Sequence, residues 1–134
     1  MDKQSLEHLE TCDTRLLQIF TIVDTFIPLR VTEGFRDKET QDRLYNEVDA
    51  NGKRKTKVKW PDSKHNTIPS IAVDAVPLPV DYHDMRKLHY FAGFVMAVAA
   101  LHGVTLRWGG DWDGDKILGE PSDDWDKPHF EIKE

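Results

Sequence analysis

The stretch Ile71-Ala72-Val73-Asp74-Ala75-Val76 decides the fold of this chain. Five of its six residues are apolar, and Pro77 and Pro79 follow directly and stop the run. Short apolar runs bounded by such breakers usually become buried strands. We therefore expect a buried strand here, and this strand carries one carboxylate, Asp74.

Helical patterns lie on both sides of this strand. Apolar residues recur at three- and four-residue spacing from Leu6 to Phe26, and Pro28 ends the pattern. A second helix is expected over about 37–47, because Asp37 is a good N-cap. The longest pattern runs over about 84–102, and Gly103 follows it where a helix C-cap is expected.

Three more strands are expected from shorter patterns. Residues 29–34, 104–108 and 129–132 show short apolar or alternating runs. The stretch 49–61 contains Asn-Gly, five basic residues and no apolar period, so it is predicted to be a loop. These elements predict an α+β fold, with helices packed on a short, mainly antiparallel sheet.

Composition limits the class of protein. The chain has 134 residues, which predicts one domain over 1–134. A single cysteine, Cys12, excludes an intramolecular disulfide and is consistent with a reducing cytoplasm. Neither a signal peptide nor a membrane-spanning run is expected from the sequence. The net charge of −6 argues against a nucleic-acid binder.

Candidate metal ligands come from three places in the chain. His65 precedes the Asp74 strand, His129 begins the last strand, and a spare carboxylate, Asp126, lies three residues before His129. Three protein ligands and one open position are typical of a catalytic zinc site, where the metal activates water and polarises a carbonyl. With six histidines in the chain, chance spacing is an alternative explanation for this pattern.

Two segments carry a family resemblance. Residues 63–74 (Ser63-Lys64-His65 through Ala72-Val73-Asp74) and 126–131 (Asp126-Lys127-Pro128-His129-Phe130-Glu131) resemble the signature of the zinc D-alanyl-D-alanine carboxypeptidase family. They are most similar to phage endolysins of the L-alanyl-D-glutamate endopeptidase type. The resemblance covers roughly residues 29–133. One departure is that Asp74 follows His65 by nine residues, whereas the family pattern has seven, and a loop insertion of two residues costs little free energy.

The resemblance implies a fold and a set of roles. The fold is expected to be hedgehog/D,D-peptidase-like. The implied zinc ligands are His65, Asp74 and His129, the implied catalytic carboxylate is Asp126, and Arg36 is implied as a substrate or transition-state contact. The remaining candidates for substrate binding are Gln41, Ser63 and Trp108.

Two charged clusters and two further tryptophans lie outside this assignment. The basic run 53–59 is either a solvated loop or a surface that attracts the anionic wall or stem peptide. The run 111–115 resembles a calcium loop only loosely, which leaves a regulatory Ca²⁺ as one interpretation. Trp112 and Trp125 either line a substrate groove or fill the core.

The resemblance therefore implies a zinc-dependent peptidoglycan endolysin, a single domain without a separate wall-binding domain, that cuts stem peptides between L-alanine and D-glutamate. The alternatives are a D-alanyl-D-alanine carboxypeptidase or dipeptidase and, from another class, a non-catalytic zinc-stabilised module that binds peptidoglycan. We expect a monomer that has no nucleic-acid partner and does not insert into membranes. It would be made in the host cytoplasm and would need a separate holin-type protein to reach the wall.

Overall fold

A computed structural model describes residues 1–117 and 126–134 of the chain. The described residues form four helices: α1 (Lys3–Glu10), α2 (Thr14–Asp24), α3 (Lys38–Asn46) and α4 (Met85–Leu101). They also form four strands: β1 (Leu29–Glu33), β2 (Ala72–Pro77), β3 (Leu106–Trp108) and β4 (His129–Ile132). A short 3₁₀ turn, Lys64–Asn66, precedes β2.

The strands pair in the order β1-β2-β4-β3, and each neighbouring pair is antiparallel. The predicted α+β class with an antiparallel sheet is thus confirmed. Strand β4 lies between β2 and β3, and in its register with β2 Asp74 faces His129 directly. Opposed residues in an antiparallel pair carry their side chains on the same face of the sheet. The pairing alone therefore brings two of the candidate ligands together.

The opposite face of these two strands forms the hydrophobic core. Val73 pairs with Phe130, and both side chains are completely buried. The Phe130 ring packs edge-on against Phe20 of α2 and Phe91 of α4, at centroid distances of 5.5 and 6.1 Å. Because side chains alternate between the faces of a strand, each core residue here has a neighbour on the site face. The core thus fixes where Asp74 and His129 point.

The prediction of one helix over residues 6–26 is wrong, because the chain breaks it into α1 and α2. Thr11 and Asp13 bind the backbone locally: the Thr11 hydroxyl donates to the carbonyl of His8, and the Asp13 carboxylate accepts from the Arg15 amide. Such side chains compete with helical hydrogen bonds. The backbone at Thr11 and Asp13 bonds instead to Ser70, at 2.9 and 2.8 Å.

The other expected elements appear with small changes at their ends. Asp37 caps α3 by accepting a hydrogen bond from the amide of Thr40, as predicted. Gly103 follows α4 with a φ of +72°, a conformation that favours glycine. The stretch 49–61 is irregular, as expected from its composition. Within the described residues, no helix is both long and apolar enough to cross a membrane.

Candidate metal centre

The three predicted ligands converge at one point. Nε2 of His65 lies 3.3 Å from Nδ1 of His129 and 3.3 Å from Oδ1 of Asp74. The third distance, between Nδ1 of His129 and Oδ1 of Asp74, is 3.2 Å. Four ligands placed tetrahedrally around zinc at 2.0–2.1 Å lie about 3.3–3.4 Å from one another. The triangle therefore fits three corners of such a site, and both the sizes and the donor types suit zinc.

Each histidine is oriented by a partner on its other ring nitrogen. Nδ1 of His65 lies 2.8 Å from the carbonyl of Gly34, and Nε2 of His129 lies 2.9 Å from Oε1 of Glu131. A carbonyl or carboxylate oxygen only accepts, so these two nitrogens carry hydrogen. The nitrogen that faces the centre of the triangle is then left as a ligand in each ring. Metal-binding histidines are commonly held this way.

Local hydrogen bonds hold His65 in place. Ser63 caps the short turn by accepting from the amide of His65, and the Asn66 side chain closes the same turn by accepting from the amide of Ser63. The backbone carbonyl of His65 also accepts from the amide of Arg36 at 2.8 Å. The longer link from His65 to Asp74 is accommodated in the loop that follows the turn. The two ligands meet in spite of the two extra residues.

In the metal-free protein the cluster is strongly polarised. Burial by itself would raise the pKa of Asp74, but the charge of His65 and hydrogen bonds with both histidines hold it well below its usual range. Burial opposes the charged form of His129 too, yet hydrogen bonds to Asp74 and Glu131 raise its pKa to about 10. Two carboxylates, Asp74 and Glu131, therefore flank the ring of His129 and favour positive charge at this point.

Asp126 lies beside this cluster at the edge of the cavity. Its Oδ2 is 4.0 Å from Nδ1 of His129, and its side chain is 38% exposed. Burial raises the pKa of Asp126 to about 6, and the charge of Asp74 adds to the increase. The backbone of Gly109 fixes this turn, since its carbonyl accepts from the Asp126 amide and its amide donates to the His129 carbonyl. Asp126 is thus positioned outside the ligand triangle, within reach of a group bound there.

Arg36 lines the same cavity, but much of its guanidinium is already engaged. Nε pairs with Glu33 at 3.2 Å, Nη1 donates to Oε1 of Gln41 at 3.0 Å, and Nη2 lies 3.9 Å from Oδ2 of Asp74. The side chain is only 10% exposed. Arg36 therefore lies beside the candidate ligand Asp74 as well as lining the cavity.

Two of the expected substrate contacts lie behind the site. Gln41 is completely buried, and its side chain hydrogen-bonds to Arg36, the Val58 carbonyl and the Asn66 side chain. Trp108 is 4% exposed, and its indole N–H donates to the Lys127 carbonyl at 2.6 Å. Neither side chain lines the cavity, because each is used to hold another part of the site.

The cavity itself measures about 350 Å³ and opens over the ligand triangle. Ser63 and Trp112 line it, whereas Trp125 lies outside the described residues. Glu131 and Arg107 also line it, although the sequence analysis did not select them. Glu131 lies two residues after His129 in the same strand, and this period-two spacing was the signal that could have found it.

A second acidic cluster lies apart from the triangle. Asp111, Asp113 and Asp115 each offer a carboxylate oxygen, and these oxygens lie within 4.8 Å of one another. Asp111 is buried, and its Oδ1 has no hydrogen-bond partner among the described residues. The loose calcium-loop pattern therefore corresponds to a real convergence of carboxylates.

Comparisons with known proteins identify the fold and the family. The solved structure of the Serratia marcescens L-Ala D-Glu endopeptidase ChiX is similar in fold, with a TM-score of 0.70 at 23% sequence identity. The alignment covers 99% of this chain and 89% of that one. No curated protein sequence matches the chain. The model of the phage L-alanyl-D-glutamate peptidase family matches residues 1–133. The chain therefore belongs to the phage L-alanyl-D-glutamate peptidase family, and it is a peptidase.

Proposed function

We propose that this chain is a zinc-dependent endolysin that hydrolyses the L-alanyl-D-glutamate bond of murein stem peptides. One observation carries the proposal: the triangle of His65, Asp74 and His129, with sides of 3.2–3.3 Å and both imidazoles oriented from behind. A zinc ion bound there supplies Lewis-acid chemistry, polarising a carbonyl and activating water at neutral pH. The choice of the bond that is cut comes from the family to which the chain belongs.

The residues around the triangle have separate roles in this proposal. Asp126 accepts a proton from the attacking water and passes it to the leaving amine as the carbon–nitrogen bond breaks. Its carboxylate lies at the edge of the cavity, partly exposed and 4.0 Å from Nδ1 of His129, where it can exchange a proton with a group bound at the triangle. Arg36 keeps Asp74 oriented and presents positive charge to the cavity, where an oxyanion develops during the attack.

Two other functions use the same site. A D-alanyl-D-alanine carboxypeptidase or dipeptidase would need the same zinc and base, and it would differ in how the cavity receives the peptide. A non-catalytic module would keep the metal for stability or binding only. The partly exposed Asp126 at 4.0 Å from His129 favours catalysis, since a structural site has no need of it.

The decisive experiment is mass spectrometry of purified murein fragments after digestion, with and without a zinc chelator. We expect a new peptide that begins with glutamate, and the chelator should abolish it. Release of free alanine alone would instead assign a carboxypeptidase. Intact fragments in the presence of bound zinc would leave the binding module as the function.

We also propose how the enzyme reaches the wall. The enzyme would accumulate in the host cytoplasm, act as a monomer, and reach the murein through a lesion made by a holin-type protein. The basic run 53–59 reaches the active-site cavity through Lys55 and Lys57 and would attract the anionic wall. Lysis should then weaken as salt rises, and lysis that is insensitive to salt would remove this role.

The proposal extends to a regulatory Ca²⁺ at the second acidic cluster. Supporting it, Oδ1 of Asp111 is buried without a hydrogen-bond partner in the described part of the chain, and an oxygen-ligated cation would satisfy it. Calcium should raise the melting temperature of the wild type and leave an Asp111→Asn, Asp113→Asn double variant unchanged. Equal effects on the two proteins would dismiss the site.

A further inference from the structure

The active-site cavity is anionic at its floor and cationic along its walls. Among the described residues, five basic side chains line it: Arg36, Lys55, Lys57, Lys64 and Arg107. They differ in how far they are engaged by the protein. Arg36 is almost buried between Glu33 and Asp74, and Nζ of Lys55 pairs with Glu47 at 2.9 Å.

The guanidinium of Arg107 has a defined orientation, but its ion pair with the protein is long. It lies in the middle of β3, opposite Glu131 of β4, and Nη1 is 3.7 Å from Oε2 of Glu131. That distance is longer than a hydrogen bond. The guanidinium packs over the Trp112 ring at 5.2 Å, and its side chain is 30% exposed. An arginine has five N–H donors in a planar fork, so this one keeps donors for a ligand in the cavity.

Lys64 is the second cation of this cavity. It lies in the short turn directly before His65, and it lines the cavity with Arg107. The same cavity is lined by the candidate ligands His65, Asp74 and His129. Lys64 and Arg107 therefore place two cations in one cavity with the candidate metal centre, Arg107 on the side of Glu131.

We propose that Lys64 and Arg107 form a subsite for the free carboxylate of the residue that follows the scissile bond. The inference rests on the proposed function and names how that substrate is selected. In an alanyl-glutamate bond the alanine has an uncharged side chain, and the glutamate after the bond brings the carboxylate. Asp74 and Asp126 repel an anion from their part of the cavity, whereas the fork of Arg107 can bind a carboxylate in two parallel bonds.

The test uses two synthetic stem peptides that differ in one group. One has a free carboxylate on the glutamate after the scissile bond, and the other has a carboxamide at that position. The wild type should cut the acid with a kcat/KM about 10–100-fold higher than that for the amide, because a site built for a charged partner rejects its neutral analogue. In Lys64→Gln and Arg107→Gln this ratio should fall to about threefold or less. The fall in this ratio should come from a lower kcat/KM for the acidic peptide.

The matched control is Lys55→Gln, which removes the same charge from the same cavity at a side chain that is paired with Glu47. Its acid-to-amide ratio should stay that of the wild type, even if both rates change through weaker steering. Zinc content and melting temperature are measured for every variant. Arg107→Lys is included because it keeps the charge near Glu131 and removes only the fork.

The outcomes separate the subsite from the proposed function. If Lys64→Gln and Arg107→Gln lower both rates equally and keep the ratio, the subsite is overturned while the peptidase remains. Equilibrium binding of both peptides to the same proteins is measured alongside. A wild type that cuts neither peptide overturns the proposed function, and equal affinity of wild type and variants for the acidic peptide overturns the subsite.

Discussion

Glu131 accepts a hydrogen bond of 2.9 Å from Nε2 of His129, and this bond leaves Nδ1 of the same ring facing Asp74. The two residues are two positions apart in β4, so their side chains lie on the same face of the sheet. A single strand thus carries both a candidate metal ligand and the group that orients it.

The first prediction concerns this orienting bond. Glu131→Ala should weaken zinc binding by about 10–100-fold, because the ring of His129 loses the partner that fixes its tautomer. Glu131→Gln should recover most of the affinity, since its side-chain oxygen can still accept from Nε2. Competition with a zinc chelator measures both. Wild-type affinity in Glu131→Ala would show that the bond has no part in binding metal.

A second prediction separates the ligand from the base. Asp126→Asn should keep wild-type zinc content and lose activity by about 10²–10⁴-fold, as expected when a general base is removed. His65→Ala should lose metal and activity together, because it removes one corner of the triangle. Metal analysis and murein digestion are run on the same preparations. Undiminished activity in Asp126→Asn would refute its assignment as the base.

The third prediction tests how the turn that bears Asp126 is held. A Cβ added at Gly109 would lie 1.8 Å from the Asp126 carbonyl oxygen, so Gly109→Ala must push the turn away. Activity should fall by at least tenfold while zinc content changes little. We expect destabilisation as well, which thermal melting reports.

Gly93→Ala is the matched control for that substitution. Gly93 lies inside α4, and an added Cβ meets nothing within 4 Å among the described residues. Replacing glycine by alanine in a helix should stabilise the protein by about 0.5–1 kcal/mol and leave the rate unchanged. A Gly109→Ala protein as active as Gly93→Ala would show that the turn tolerates displacement.

The fourth prediction concerns the metal-free protein above pH 6.5. The pKa of His129 rises from an ordinary 6.5 to about 10, so the folded state binds its proton more tightly than the unfolded state. The stabilisation of the folded state by this proton is complete below about pH 6.5 and is lost as pH rises toward 10. The free energy of unfolding should therefore fall across this range, as measured with denaturant in the presence of a chelator.

His129→Gln serves as the reference, since it removes the titrating group and leaves the other groups of the protein in place. The difference in unfolding free energy between wild type and variant should shrink from pH 6.5 to pH 10. A constant difference would mean that His129 binds no extra proton in the folded state.

Sequence patterns were sufficient to predict an element and its candidate ligand where a metal-binding residue type lies beside or within an apolar run. His65, Asp74 and His129 stand beside or within apolar runs, so their elements and their choice as candidate metal ligands could be predicted together. The register that sets Asp74 against His129 could not be predicted from the sequence, because a contact across 55 residues depends on which strands become neighbours. For the same reason the sequence did not show that Lys64 and Arg107 line one cavity.

The break between α1 and α2 could not be predicted from apolar periodicity. The apolar period runs through residues 11–13, and periodicity alone favours one helix there. The competing hydrogen bonds come from Thr11 and Asp13, whose types are visible in the sequence, and from Ser70, whose position is not. Tertiary pairing decided the outcome where local preference was ambiguous. Trp108 is similar, because only the fold shows that its indole supports Lys127 instead of facing the cavity.

The position of β4 between β2 and β3 also sets when the enzyme can first act. During synthesis the ribosome delivers β2 and β3 before β4, so neither the sheet nor the metal centre can be completed until His129 to Ile132 have emerged and entered the gap. A nascent or truncated chain that lacks this strand lacks the candidate ligand His129 and the carboxylate of Glu131 that orients it. Under the proposed function, only molecules whose translation has passed this strand could therefore cut murein.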